Sequence, residues 1–175
     1  MRNCILLFVL ALGLSTTLSA QLQKGTILAS GEISFNSTSN SENDDFSSTD
    51  FSLTPRAGYF FTDNFVAGAL VSFSSSNTED TNFELEQTMF GFGPFVRYYL
   101  DNGLYGEVAY DFVSSTLGDA DAVTGSWITP RVGYAAFLND HVSVEPSIFY
   151  SIGGGDLYEN VSNFGIAIGF GIYLY

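Results

Sequence analysis

The feature that most constrains this chain is an alternation of apolar and polar residues, cast into a hairpin unit that recurs three times. Pro55-Arg56-Ala57-Gly58-Tyr59, Pro94-Phe95-Val96-Arg97-Tyr98 and Pro130-Arg131-Val132-Gly133-Tyr134 share a Pro-x-x-x-Tyr frame. Each runs into a short polar turn, at Thr62-Asp63-Asn64, Asp101-Asn102-Gly103 and Asn139-Asp140, and each turn is followed by a fresh alternating stretch. A period of two places side chains on opposite faces of a strand, so the repeated unit is a β-hairpin. Hairpins joined in series either expose two sheet edges or close into a barrel, which leaves no edge for another chain to pair with. A closed barrel is the expectation.

Eight alternating segments can be read, at 26–36, 51–61, 65–74, 86–99, 104–114, 126–137, 142–151 and 164–175. Three connections are short turns. The other four, 37–50, 75–85, 115–125 and 152–163, are long, polar and rich in Ser, Asn, Asp and Gly. Short and long alternate strictly, which gathers the tight turns at one end of the sheet and the long loops at the other. Barrels that cross a membrane have this asymmetry, and a tilted strand of about 9–11 residues crosses a bilayer. Eight strands enclose an interior that side chains can fill. The expected fold class is all-β, an eight-stranded antiparallel up-and-down transmembrane β-barrel.

One face of each segment is apolar and aromatic; the other is small, glycine-rich or charged. In 51–61, Phe51, Leu53, Pro55, Ala57 and Tyr59 oppose Ser52, Thr54, Arg56 and Gly58. In 104–114, Leu104, Val108, Tyr110 and Phe112 oppose Tyr105, Glu107, Ala109 and Asp111. Alternation alone leaves the facing open, because a soluble lipocalin-like barrel would carry the same pattern turned inside out. Two properties of the polar face argue for the inside. It holds Gly58, Gly68, Gly91, Gly93 and Gly133, as a tight lumen requires, and it sets Arg56, Arg97 and Arg131 against Glu32, Glu107 and Glu145. Charges withdrawn from water must be paired, whereas a wetted surface has no reason to match three with three.

Those six residues are the expected luminal charge network, structural in role. The arginines are expected at corresponding sites in three strands, with Arg97 near Glu107 and Arg131 near Glu145 across their hairpins. Met89, Phe95 and Trp127 should project into the same lumen and narrow it. On the outer face Tyr59, Tyr98 and Tyr134 fall close to the short turns, as a periplasmic aromatic girdle would. Two features strain this scheme. Pro55, Pro94, Pro130 and Pro146 lie inside strands, where each removes a ladder donor, and their recurrence implies bulges or local bends. In the last segment alternation turns Phe164, Ile166, Ile168, Phe170, Ile172 and Leu174 outward, which leaves Tyr173 and Tyr175 facing inward.

Residues 1–20 stand apart from the barrel. Arg2, an apolar run from Cys4 to Leu14 and Leu18-Ser19-Ala20 before Gln21 have the layout of a cleaved secretory signal peptide. The remainder, 21–175, has the size of one domain and no cysteine, hence no disulfide. Nineteen carboxylates against five basic residues disfavour nucleic acid and anionic headgroups as partners.

Signal peptide, eight segments, alternating connection lengths and a C-terminal aromatic together resemble the small outer-membrane β-barrel family of OmpA, OmpX and opacity type. Gly93-Pro94-Phe95-Val96-Arg97-Tyr98-Tyr99 is similar to the wording of Bacteroidetes-like members. Ile172-Tyr173-Leu174-Tyr175 is similar to the signal read by the barrel-assembly machinery, with Phe170 where a glycine is usual. The resemblance covers the whole of 21–175. It implies residence in the bacterial outer membrane, insertion by the barrel-assembly machinery, contact with outer-membrane lipid and lipopolysaccharide, and a monomer. It says little about activity, because the family holds adhesins, anchors, stress proteins and narrow pores.

Little in the chain speaks for catalysis. The single histidine, His141, directly follows a short turn, at the end away from the outer rim where a lipid-modifying or proteolytic site would need its base. The luminal acids sit among arginines that keep them ionised. No zinc-ligand cluster or phosphate loop occurs, so no cofactor and no metal is expected. The long loops carry Glu42, Asp44, Asp45, Asp50, Glu79, Asp80, Glu84, Asp119, Asp121, Asp156 and Glu159, which read as solvated acids. The expected function is a non-enzymatic, structural or surface-interaction role through acidic extracellular loops towards an unidentified extracellular ligand. Two alternatives stand beside it: a narrow porin-like channel for ions or small solutes, and a secreted soluble barrel that binds an apolar ligand.

Overall fold

The computed structural model describes residues 22–39, 47–80, 83–118, 121–155, 158–159 and 161–175, so the signal peptide expected at 1–20 lies outside them. The described residues form β1 (Ile27–Ser39), β2 (Ser47–Phe60), β3 (Phe65–Asp80), β4 (Phe83–Tyr99), β5 (Leu104–Leu117), β6 (Val123–Tyr134), β7 (Ala136–Phe137), β8 (Val142–Gly154) and β9 (Ser162–Leu174). Every neighbouring pair is antiparallel. β7 continues β6 past a break at Ala135, and both pair with β8, so the barrel has eight staves. β1 pairs with β2 on one side and β9 on the other, which closes the ring. The closing ladder is short: β1 and β9 pair from Ile27–Leu174 to Glu32–Gly169, while β1 and β2 pair along the full length of β1.

The facing that alternation left open is decided by exposure. Phe35 is 70% exposed and Ile166 76%, whereas Arg97 is 2% and Glu107 3%. The apolar face lies outside and the charged face inside, the reverse of a barrel that dissolves in water.

The strands outrun their apolar residues. The Ser- and Asn-rich stretch expected as a loop at 75–85 belongs largely to a β3–β4 ladder that continues to Asp80–Phe83. Its polar side chains bond across strands: Ser76 Oγ donates to Asp50 Oδ1 at 2.6 Å, and Gln87 Nε2 to Ser115 Oγ at 3.0 Å. Backbone pairing needs no apolar face, so a strand with polar residues on both faces loses the period-two signal and keeps its hydrogen bonds.

The prolines do not make bulges. Pro55 keeps its place opposite Gly31 in β1, while towards β3 the ladder opens between Leu53–Phe73 and Arg56–Leu70 and resumes in the same register. The β4–β5 ladder opens likewise at Pro94, and the β6–β8 ladder at Pro130. Pro146 pairs with Ile168 of β9 and on its other side falls opposite Tyr134, where the ladder opens between Gly133–Ser147 and Ala136–Val144. A bulge would shift the pairing by one residue and send the following side chains to the wrong face. A missing N–H opens one ladder at one point and leaves the facing intact. At the Pro94 opening the backbones come close: a Cβ on Gly93 would overlap the Tyr110 carbonyl oxygen, so only glycine fits there.

At the C-terminus Tyr173 is fully buried, as the alternation of β9 demands. Tyr175 corrects the expectation. It lies beyond the last strand residue, is 62% exposed, and stacks on the His141 ring at 4.8 Å. Alternation stops dictating direction where the ladder stops.

Candidate functional site in the barrel lumen

The lumen is built in three layers. The lowest, at the short-turn end, is an aromatic cork. Phe60 stacks on Tyr99 with centroids 5.7 Å apart, Tyr99 meets Tyr105 at 5.5 Å, and Tyr173 packs against Phe60 and Phe137. Leu28, Val66 and Ala135 fill the space between them. The segment before β1 folds across this end: Gly25 takes a φ of 100°, its N–H donates to the Phe60 carbonyl, and Leu22 and Thr26 are buried. Aromatic contact of this kind adds to plain burial in holding the layer together.

Above the cork lies the charge layer, and the structure brings all six expected residues into one connected cluster. Arg97 sits at its base between two carboxylates, with Nη2 2.7 Å from Glu107 and Nη1 2.8 Å from Glu145. Nη1 also donates to the Tyr99 hydroxyl at 2.8 Å, and the guanidinium lies 4.2 Å from the Tyr105 ring centroid, a cation–π contact with the cork. Glu145 accepts from the Tyr173 and Ser143 hydroxyls at 2.9 Å each. Glu107 is the hub: besides Arg97, its Oε1 faces Arg56 Nε at 3.6 Å and Arg131 Nε at 3.5 Å. Among the described residues none of those three facing atoms has a hydrogen-bond partner, so charge holds that part of the cluster. Glu32 completes it, bound by Arg56 Nη1 at 3.2 Å and by Arg131 through both Nη1 and Nη2.

The partners differ from the expected set in one respect. Arg97 is directly opposite Glu107. Across the β5–β6 ladder Arg131 is also opposite Glu107, but in the β6–β8 ladder it is opposite Phe149, so Glu145 lies two rows of inward side chains nearer the turn. Arg131 therefore pairs with Glu32 and Glu107, and Glu145 falls to Arg97. The arginines do not occupy corresponding sites. Arg56 and Arg131 directly follow the proline of their phrase, whereas Arg97 is its third residue after the proline and sits deeper. That offset lets Arg97 bridge two acids below while Arg56 and Arg131 meet the hub from above.

The third layer is a vestibule of about 390 Å³ over the charge layer, on the long-loop side. Glu32, Arg56 and Arg131 form its floor; Asp111, Trp127 and Met89 stand in its wall. Tyr158, from the connection between β8 and β9, leans over it, with its ring 4.5 Å from that of Trp127 and its hydroxyl donating to Met89 Sδ at 2.8 Å. Partial burial pushes the Tyr158 phenol above its ordinary pKa, which keeps it a neutral donor. Of the side chains expected to narrow the lumen, Phe95 is buried with the cork and charge layers, while Met89 and Trp127 border the vestibule.

Tyr59 and Tyr98 are outward and exposed and Tyr134 is half-buried, each near a short turn; Tyr59 meets Phe61 edge-on at 5.2 Å. His141 is exposed at its turn and holds the Tyr173 carbonyl through Nδ1 at 2.9 Å. Among the described residues no group of three or more His, Cys, Asp or Glu side chains gathers at metal-binding geometry. Glu42, Asp44, Asp45, Asp119 and Asp156 lie outside those residues. The cork was missed by sequence reading. Alternation turns Phe60, Tyr99, Tyr105 and Tyr173 inward, but that they meet in one layer depends on strand stagger.

No protein-family profile matches the chain, and no curated protein matches it in sequence. Solved structures do resemble it. The crystal structure of the outer membrane protein OprG from Pseudomonas aeruginosa aligns with a TM-score of 0.54 at 12% identity, over 89% of this chain and 99% of that one. The outer membrane protein Ail of Yersinia pestis aligns at 0.47 with 11% identity, over 87% and 100%, and a de novo designed transmembrane β-barrel at 0.41 with 14% identity, over 88% and 99%. The likeness to OprG concerns the fold, and the fold it shares is a small closed antiparallel β-barrel.

Proposed function

We propose that this chain is a non-enzymatic β-barrel protein of the bacterial outer membrane, with a structural or surface-interaction role exercised through its acidic loops. The observation that carries the reading is an apolar exterior wrapped around a plugged polar lumen. An exterior of exposed Phe, Ile, Leu and Val running round the barrel is far larger than the apolar patches soluble proteins tolerate, and lipid is the medium that covers it. Only a closed barrel or a helix satisfies its own backbone there. The outer membrane follows from the expected signal peptide together with strand-built crossing. The long-loop end then faces outward, where carboxylates meet the medium and the divalent ions that bridge lipopolysaccharide.

The cork argues against conduction. Phe60, Tyr99 and Tyr173 close the short-turn end, and the arginine–glutamate layer fills the section above it. Moving an ion through would require parting buried pairs that are already satisfied. Planar-bilayer recording on the refolded protein tests this. The wild type should show no unitary conductance, and Phe60→Ala combined with Tyr99→Ala should open a small one. Steady channel openings from the wild type would replace this reading with the narrow-pore one.

A further inference from the structure

The vestibule holds one charge that the luminal network does not absorb. Three arginines match three glutamates, and Asp111 is a fourth acid on the same inner face. Its Oδ2 accepts from Ser72 Oγ at 2.6 Å, while Oδ1 has no hydrogen-bond partner among the described residues. Among the described residues no basic group lies within ion-pair distance of it. Arg56 acts on it only at longer range, being committed to Glu32 and Glu107. A carboxylate partly withdrawn from water without a counter-charge is unfavourable, and a cation from outside relieves it.

The wall beside Asp111 says which kind of cation. Trp127 is its direct partner in the β5–β6 ladder, and Tyr158 packs on Trp127. The chain's own cations already use other rings: Arg97 lies over Tyr99 and Tyr105, and Arg131 over Phe149. Among the described residues no cation of the protein lies over Trp127 or Tyr158. Hydroxyls of Thr129 and Ser151, bonded to each other at 2.9 Å, complete the rim. A bare metal ion is best held by several carboxylates, and among the described residues no group of three or more His, Cys, Asp or Glu side chains gathers here. An alkylammonium wants one carboxylate and aromatic faces. We infer that the vestibule binds a small organic ammonium ion, its charge compensating Asp111 and its alkyl groups against Trp127 and Tyr158. The net negative charge of the chain favours entry of cations over anions.

Trp127 is the only tryptophan, so its emission reports on the site directly. Choline titrated into the refolded protein in detergent micelles should change that emission saturably. The uncharged isostere 3,3-dimethyl-1-butanol should bind at least about tenfold more weakly, as loss of the charge contacts requires. Asp111→Asn should weaken choline by about tenfold or more. Tyr158→Ala, a change outside the ladders, should weaken it severalfold and leave the heat-resistant folded form on gels unchanged. Unchanged Trp127 emission at the highest choline concentration, equal binding of the isostere, or wild-type affinity in folded Asp111→Asn would each overturn the inference. If Asp111→Asn does not fold, wild-type affinity in Tyr158→Ala does so.

Discussion

Arg97 offers a test of how charge is shared inside the lumen. It is 2% exposed and pairs with two carboxylates, Glu107 at 2.7 Å and Glu145 at 2.8 Å. Arg97→Met keeps much of the packing volume and removes the charge from both. Breaking a buried pair by removing one partner costs roughly 3–5 kcal/mol, against about 1 kcal/mol or less for an exposed one. The two acids are left in different positions. Glu107 still faces Arg56 at 3.6 Å and Arg131 at 3.5 Å, whereas among the described residues Glu145 has no other basic partner and keeps only the Tyr173 and Ser143 hydroxyls. Neutralising Glu145 should therefore rescue more than neutralising Glu107. Glu145→Gln added to Arg97→Met should recover well over half of the loss, because a neutral amide oxygen still accepts from both hydroxyls. Glu107→Gln added instead should recover less than half, since Glu145 stays stranded and two arginines lose their hub. Urea unfolding in micelles, followed by Trp127 emission and by the folded-form gel band, supplies both double-mutant cycles. Equal rescue by the two second-site changes, or a loss from Arg97→Met near 1 kcal/mol, would refute the partner assignment.

Three further outcomes are expected. The folded protein should run differently on gels before and after boiling in detergent, because closed ladders leave no edge at which unfolding begins; identical mobility of folded material would count against a barrel. A tag between Asn43 and Asp44, outside the described residues, should be reached by antibody on intact cells and one beside Asn102 should not, since loop length costs little and the proposed topology turns only the long-loop end outward; the reverse pattern would invert the topology. Gly93→Ala should destabilise the barrel by about 1–3 kcal/mol by pressing a Cβ into the Tyr110 carbonyl, whereas Gly106→Ala, where a Cβ meets open space, should be close to neutral in the same urea assay.

The staves and their number, the two ends, and the two faces of each strand are legible in the residues alone. Period-two alternation and alternating loop lengths are local patterns, and nothing elsewhere in the chain overrides them. The balance of three arginines against three glutamates also points to the inside, because only buried charges need matching. Tertiary structure decided what depends on stagger. Arg131 stands opposite Glu107 in the β5–β6 ladder and opposite Phe149 in the β6–β8 ladder, so it meets Glu107 and not Glu145, and those rows are set by whole ladders. The polar ends of β3 and β4 were invisible because a stretch that is polar on both faces has no alternation to read. The cork and the vestibule are likewise products of closure: Phe60, Tyr99 and Tyr173 come from distant strands, and Asp111 becomes the odd charge only once the ring is shut.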